Sequence, residues 1–388
     1  MKKLFLICLT LIISLLVVSC KKKPQPQKEK NPYLEEYEKQ DQDELINDYE
    51  YSSPNFSEVN NISNQGLKKE ALYFPKKVKK IKAQALQSSK VKRIIFSANI
   101  EVIGQYCILN SPSLEQVVFL NKFTTDGPIG FNLEKLSEVV FYDVNIKKTD
   151  SALFINTPKL EKFNIINSNV EFSNNQLLIK DGTNYLLAYI ASAFDYKFND
   201  KITHILNLIG FLKEALVKEL VLPKNIKFVG QNFINKAPNL NKITISLTNL
   251  EHFSSLAIQG APLKEIIKDG EAKDYDVINN TLVKKDEAIL LSSSSNLKDT
   301  TIFKIGSYAS NKNSEFTMAT LENVLSASTT EIGDYAFYGA SLKGELDFSI
   351  FTSLSKVGKN IFNAINFDDL TLKNYTPKDN WDKDWDKR

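Results

Sequence analysis

Four stretches of this chain can be laid over one another. Val91-Lys92-Arg93-Ile94-Ile95-Phe96, Leu114-Glu115-Gln116-Val117-Val118-Phe119, Leu136-Ser137-Glu138-Val139-Val140-Phe141 and Leu160-Glu161-Lys162-Phe163-Asn164-Ile165 begin 23, 22 and 24 residues apart. Each hexad is apolar at its first, fourth and sixth positions and mostly polar at its second and third. A unit this short cannot enclose a core of its own. A period in the twenties therefore requires a solenoid, in which each coil is buried by its neighbours. The pattern returns at Val217, Leu240 and Leu263, begins at Leu72, and is weaker from Leu321, Leu342 and Phe367. β-branched and aromatic residues fill the hexads, which fits strands with one face inward. Roughly eleven to thirteen coils, about 4.8 Å apart, would run on the order of 55 Å.

A second motif follows each hexad. Examples are Val102-Ile103-Gly104, Ile226-Lys227-Phe228-Val229-Gly230, Ile305-Gly306, Glu331-Ile332-Gly333-Asp334-Tyr335-Ala336-Phe337 and Val357-Gly358. A glycine after a buried aliphatic residue predicts a corner that needs either positive φ or close backbone approach. Ala336-Phe337 and Ile361-Phe362 are expected to plug the core from a helical turn on the opposite side. Leu220-Val221-Leu222-Pro223-Lys224-Asn225-Ile226-Lys227-Phe228-Val229-Gly230-Gln231-Asn232-Phe233 closely resembles the leucine-rich repeats of the BspA-like class of bacterial surface proteins. The resemblance covers residues 67–372. It implies a β-rich α/β leucine-rich-repeat solenoid, with short parallel strands on one face and turns and short helices on the other. The units from Leu114 and Leu136 lack the Ile-Gly corner, and most units lack the family's final cysteine.

The solenoid is expected over residues 61–375, with two hairpin insertions at about 172–192 and 277–292. Asn175-Gln176-Leu177-Leu178-Ile179-Lys180-Asp181-Gly182 and Asn280-Thr281-Leu282-Val283-Lys284-Lys285-Asp286-Glu287 lie 105 residues apart, which points to a longer duplication. Asp181-Gly182 between apolar runs is a hairpin signal. Ile202, Ile205, Leu206, Ile209, Leu212 and Leu216 carry a helical period, predicting a helix over 201–216. Residues 376–388, with Trp381 and Trp385, read as a cap or a tail.

The first nineteen residues read as a signal peptide: Lys2 and Lys3, then the apolar run Leu4 to Val18. Val17-Val18-Ser19-Cys20 is similar to a bacterial lipoprotein lipobox. The resemblance implies acylation of Cys20, and with it a membrane anchor. Residues 20–60 are expected to be a tether, extended and disordered through its Lys- and Pro-rich start.

Charges nearly balance, at 49 basic and 46 acidic residues, so the chain has no electrostatic footprint for nucleic acid. Removal of a signal containing Cys8, with Cys20 acylated, leaves Cys107 alone. Internal disulfides are then excluded and packing must hold the fold. Neither His204 nor His252 stands in a metal-binding spacing, and no nucleophile elbow, phosphate loop or C-x-x-C pair occurs. The reading is a non-enzyme without cofactor or metal. The outward hexad positions are the candidate binding face: an apolar stripe of Ile95, Val118, Val140, Val221, Thr244 and Ile267, flanked by Arg93, Gln116, Glu138 and Lys162. The same β-branched stripe also stabilises a sheet by cross-strand packing. The resulting expectation is a monomeric, lipid-anchored envelope protein, in the outer membrane or at the cell surface. It would bind a protein ligand in adhesion or host interaction; the alternative is a periplasm-facing scaffold for other envelope components.

Overall fold

In a computed structural model, the hexads stand side by side as parallel strands in register. The structure describes residues 31–387, apart from 89, 121, 147–148, 181–183, 190–196, 209–216 and 366–368. Cys20, the signal and the start of the tether lie outside the described residues. A short first unit ends at Lys39. Its described part is the helix Pro32–Glu38, which has Pro32 in its first turn. The Asn31 side chain caps it by accepting from the Tyr33 and Leu34 amides at 3.0 Å.

The second unit, from Gln40 onward, is a parallel β-solenoid of about 13 turns. Its first hexad sheet comprises Ala71–Tyr73, Arg93–Phe96, Gln116–Phe119, Glu138–Tyr142 and Lys162–Ile166, each paired with the next. Fourth and sixth hexad positions point inward. The sixth places Phe74, Phe96, Phe119 and Phe141 in one stack, with successive centroids 5.3, 5.0 and 5.4 Å apart. Two shorter hexad sheets follow, Glu219–Val221 with Lys242–Ser246 and Glu265–Asp269, and then Gly344–Asp347 with Leu370–Lys373.

The expected solenoid, with parallel strands on one face and turns and a few short helices elsewhere, is what the chain forms, and it carries more strand than the hexads alone. Parallel strands also line the glycine corner (Lys80–Ile81, Val102–Ile103, Thr124–Thr125) and a third side (Ile108–Leu109, Gly130–Phe131, Phe154–Ile155). Ala336, Phe337, Ile361 and Phe362 plug the core from single turns closed by i→i+3 hydrogen bonds, such as the Tyr338 amide to the Tyr335 carbonyl. At the corner, close approach decides the residue and not φ. A Cβ on Gly104 would lie 2.5 Å from the Ala83 nitrogen and 2.7 Å from the Lys82 carbonyl carbon. Positive φ falls two residues later, at Tyr106, Asn232, Tyr308, Tyr335 and Asn360.

Other expectations also change. The tether does not extend to residue 60. Asp41 caps a helix at Gln42–Ile46, and Tyr49–Tyr51 pairs antiparallel with Glu58–Ile62, which begins the stack by pairing with Lys80–Ile81. Tyr49, Val59 and Ile62 join the first core, so this segment closes the array's end as terminal coils must. The helix over 201–216 is absent from its described part. His204–Ile205 is instead a strand between Tyr185–Tyr189 and Phe228–Val229, with Ile202 and Leu206 buried beside it. Ile209, Leu212 and Leu216 lie outside the described residues. Leu321 opens no strand: it sits in the helix Met318–Val324, which buries Thr320, Leu321 and Val324 on one face. Phe367 lies outside the described residues. Trp381 bridges Val357, and the Trp385 carbonyl accepts from the Ile361 amide, so residues 381–385 lie on the last coil.

Each insertion has one strand more than a hairpin. Val170–Ser173, Gln176–Ile179 and Tyr185–Tyr189 form an antiparallel meander, as do Tyr275–Ile278, Thr281–Lys284 and Glu287–Leu291. The added turns are Asn174-Asn175 and Asn279-Asn280, with all four residues at positive φ. Asparagine tolerates that region and suits a two-residue hairpin. The Asp181-Gly182 turn lies outside the described residues.

Candidate binding face

Side chains alternate along a strand, so third and fifth hexad positions share the face turned away from the core. The register places Arg93, Gln116, Glu138 and Lys162 in one row, and Ile95, Val118, Val140 and Asn164 in the next. Glu138 is the node of the first row. Its carboxylate accepts from Gln116 Nε2 at 2.5 Å, Asn164 Nδ2 at 2.5 Å and Lys162 Nζ at 2.7 Å. Burial alone would push this carboxyl up. The hydrogen bonds from Lys162 and Gln116, with the Lys162 and Arg93 charges, outweigh it and hold the pKa below the ordinary value. Beside the row lies an open depression of about 440 Å³, lined by Glu70, Lys92, Arg93, Glu115, Gln116 and Glu138. Lys92 bonds Glu70 across its rim at 2.9 Å.

The apolar stripe is not continuously accessible. Ile95, Val118 and Val140 are fully buried. In the second hexad sheet, Val221 is 58% and Ile267 38% exposed, with the partly buried Thr244 between them. The open part of the stripe is therefore Val221–Thr244–Ile267. Lys242 stands beside it, 3.5 Å from Glu219 and 3.8 Å from Glu265.

The sequence reading passed over a third row. At the glycine corner, the residue before the buried aliphatic one also faces outward. In the middle part of the array these residues are Tyr185, His204, Phe228 and His252, with successive ring centroids 4.6, 5.9 and 4.7 Å apart. The same position later in the chain carries Glu287, Lys304, Glu331 and Lys356 in register. There Lys304 lies 3.6 Å and Lys356 3.3 Å from Glu331. The signal was in the sequence: His204, Phe228 and His252 recur every 24 residues, each just before the residue that turns inward. Burial and the Lys284 charge lower the His252 pKa. Cys107 is fully buried and its thiol is pushed far up, as suits a packing residue. Among the described residues no three His, Cys, Asp or Glu side chains cluster to hold a metal, and no helix is long and apolar enough to cross a membrane.

No curated protein matches the sequence. Among solved structures, the pneumococcal vaccine antigen PcpA is 15% identical, covering 79% of this chain and 80% of its own, with a TM-score of 0.39. A leucine-rich repeat protein from Eubacterium ventriosum is 14% identical over 77% of this chain and 85% of its own, at a TM-score of 0.37. One from Bacteroides ovatus is 16% identical over 86% and 98%, at 0.33. The BspA type leucine-rich repeat region matches six times, over residues 57–178, 183–274 and 291–379. These spans take in most of the chain and break where the meanders do, and the chain belongs to the BspA-type leucine-rich repeat family.

Proposed function

We propose that this protein is a non-catalytic envelope lipoprotein, anchored through acylated Cys20, whose solenoid binds a protein partner at the cell surface in adhesion or host interaction. The observation that carries the binding reading is the open strip Val221–Thr244–Ile267. Large apolar side chains stand in solvent there on an in-register parallel sheet. Neighbouring charges are already engaged by their own chain, Lys242 by Glu219 and Glu265, which leaves apolar contact to drive association. The anchor rests on the Val17-Val18-Ser19-Cys20 motif after an apolar run.

The test is protease shaving of intact cells, read with an antibody to the repeats, beside a Cys20→Ser variant. Surface display predicts loss of the wild-type band while a periplasmic control survives, and release of the variant from the membrane fraction. Protection of the wild type until lysis would replace adhesion with a periplasm-facing scaffold. Membrane retention of Cys20→Ser would remove the lipid anchor.

A further inference from the structure

The two meanders divide the interior. Apolar residues of the described chain fall into three separate cores, and the meander strands contribute to the cores on both sides of them. In the first, Leu177, Ile179 and Leu187 pack into the first core, whereas Leu178 and Leu186 pack into the second. In the second, Leu282, Ile289 and Leu290 face the middle core, whereas Val283, Ala288 and Leu291 face the last. This explains why Leu177-Leu178-Ile179 and Ile289-Leu290-Leu291 are unbroken apolar runs and not alternating ones: both faces of these strands are buried. Each meander is thus a wall that ends one stack of coils and starts the next.

The two walls are not equivalent. At the first, the cores interlock across the boundary: Leu206 belongs to the first core and Ala152 to the second. Backbone groups join there directly, the Ala152 amide to the Asn207 carbonyl at 3.0 Å and the Asn207 amide to the Asp150 carbonyl at 3.1 Å. At the second, among the described residues, neither core takes a member from beyond the wall's own strands: the middle core ends at Leu290 and the last begins at Val283. Side-chain amides reach across the boundary. The buried Asn313 donates Nδ2 to the Leu263 carbonyl at 2.8 Å, and Asn311 donates Nδ2 to the Ser255 carbonyl at 3.0 Å. Two backbone bonds assist, the Gly260 amide to the Asn311 carbonyl and the Ser293 amide to the Leu263 carbonyl.

We propose that the meanders are internal caps, so that the solenoid opens in blocks and not coil by coil, and that the block from residue 291 to 385 opens first, at the Asn311–Asn313 boundary. A stack with nearest-neighbour coupling otherwise frays continuously from an end or, if strongly coupled, opens all at once. A wall with two apolar faces changes this, because it keeps covering the middle core after the last one has opened.

Hydrogen exchange with mass spectrometry on the full chain, at rising sub-denaturing urea, decides it. Peptides from 291–385 should lose protection together, at lower urea than peptides from 219–274 and 71–166. Asn313→Ala should speed exchange in 291–385 by about tenfold through the lost buried hydrogen bond, and leave 71–166 unchanged. The proposal is overturned by one shared opening for the whole array, by protection graded coil by coil from Trp385 inward, or by an Asn313→Ala effect of equal size in all three blocks. Wild-type exchange alone discriminates these patterns should the variant fail to fold.

Discussion

Phe119→Ala tests the claim that a stack of rings, one per coil, holds the first block. Phe119 is fully buried. Its ring centroid lies 5.0 Å from Phe96, 5.4 Å from Phe141, 4.9 Å from Phe123 and 6.5 Å from Phe154. Truncating a buried Phe costs about 3–5 kcal/mol through lost transfer energy and the cavity left behind. Aromatic pairs add about 0.5–1.5 kcal/mol each beyond area. With four ring neighbours, and backbone ladders on both sides that prevent the coil from collapsing inward, the upper half of that range applies. Phe119→Leu retains apolar bulk but loses the ring pairs, so its cost should be near 2 kcal/mol, mainly from the stack. The assay is urea unfolding followed by hydrogen exchange in peptides from residues 71–166. An alanine cost below about 2 kcal/mol, or a leucine variant as stable as wild type, would refute the view that ring stacking holds these coils in register.

Three further outcomes follow from the same geometry. Gly104→Ala places a Cβ against the backbone of the preceding coil, which cannot move aside. It should cost about 2–3 kcal/mol in thermal or urea unfolding, and a neutral result would refute close approach as the reason for glycine at the corner. Glu138 has a folded pKa below its ordinary value of 4.5, so its stabilisation is present above that value and lost as pH falls through the lower folded one. Glu138→Gln should lose about 0.5–1 kcal/mol at pH 7 and flatten the acid limb of a urea-midpoint series, whereas an unchanged limb would show that the rung carries no net stability. The double variant Val221→Ser, Ile267→Ser should unfold within about 0.5 kcal/mol of wild type, because both side chains stand in solvent. A larger loss would mean that the strip holds its sheet together rather than standing open for a partner.

The repeat itself was legible because its period survives every substitution outside the inward positions. Ile94 and Phe96, Val117 and Phe119, and Val139 and Phe141 all point where the hexad frame puts them. Where two periods compete, the sequence is ambiguous. Ile202, Ile205 and Leu206 satisfy a helical spacing and also a corner strand, and the parallel partners at Tyr185 and Phe228 select the strand. The reverse holds at Leu321, where burial of Thr320, Leu321 and Val324 on one face selects a helix. At the candidate site, the hexad frame gave the direction of Ile95, Val118, Val140, Val221 and Ile267 but not their exposure. Exposure depends on what else lies over each sheet, and a one-dimensional repeat carries no record of that. The aromatic row was missed for a related reason. Two-residue strands are too short to show a period of two, so Tyr185, His204, Phe228 and His252 read as unrelated positions.

The charged row Glu287–Lys304–Glu331–Lys356 limits how an array of this kind can change in length. Its sign reverses at every strand. Excising one coil from the middle would bring Glu287 against Glu331, or Lys304 against Lys356, and like charges directly opposite are destabilising. Excising two adjacent coils would restore the alternation. The Glu219–Lys242–Glu265 row obeys the same parity. Unequal recombination acts on such a gene as a counter, and here the counter advances most easily by twos.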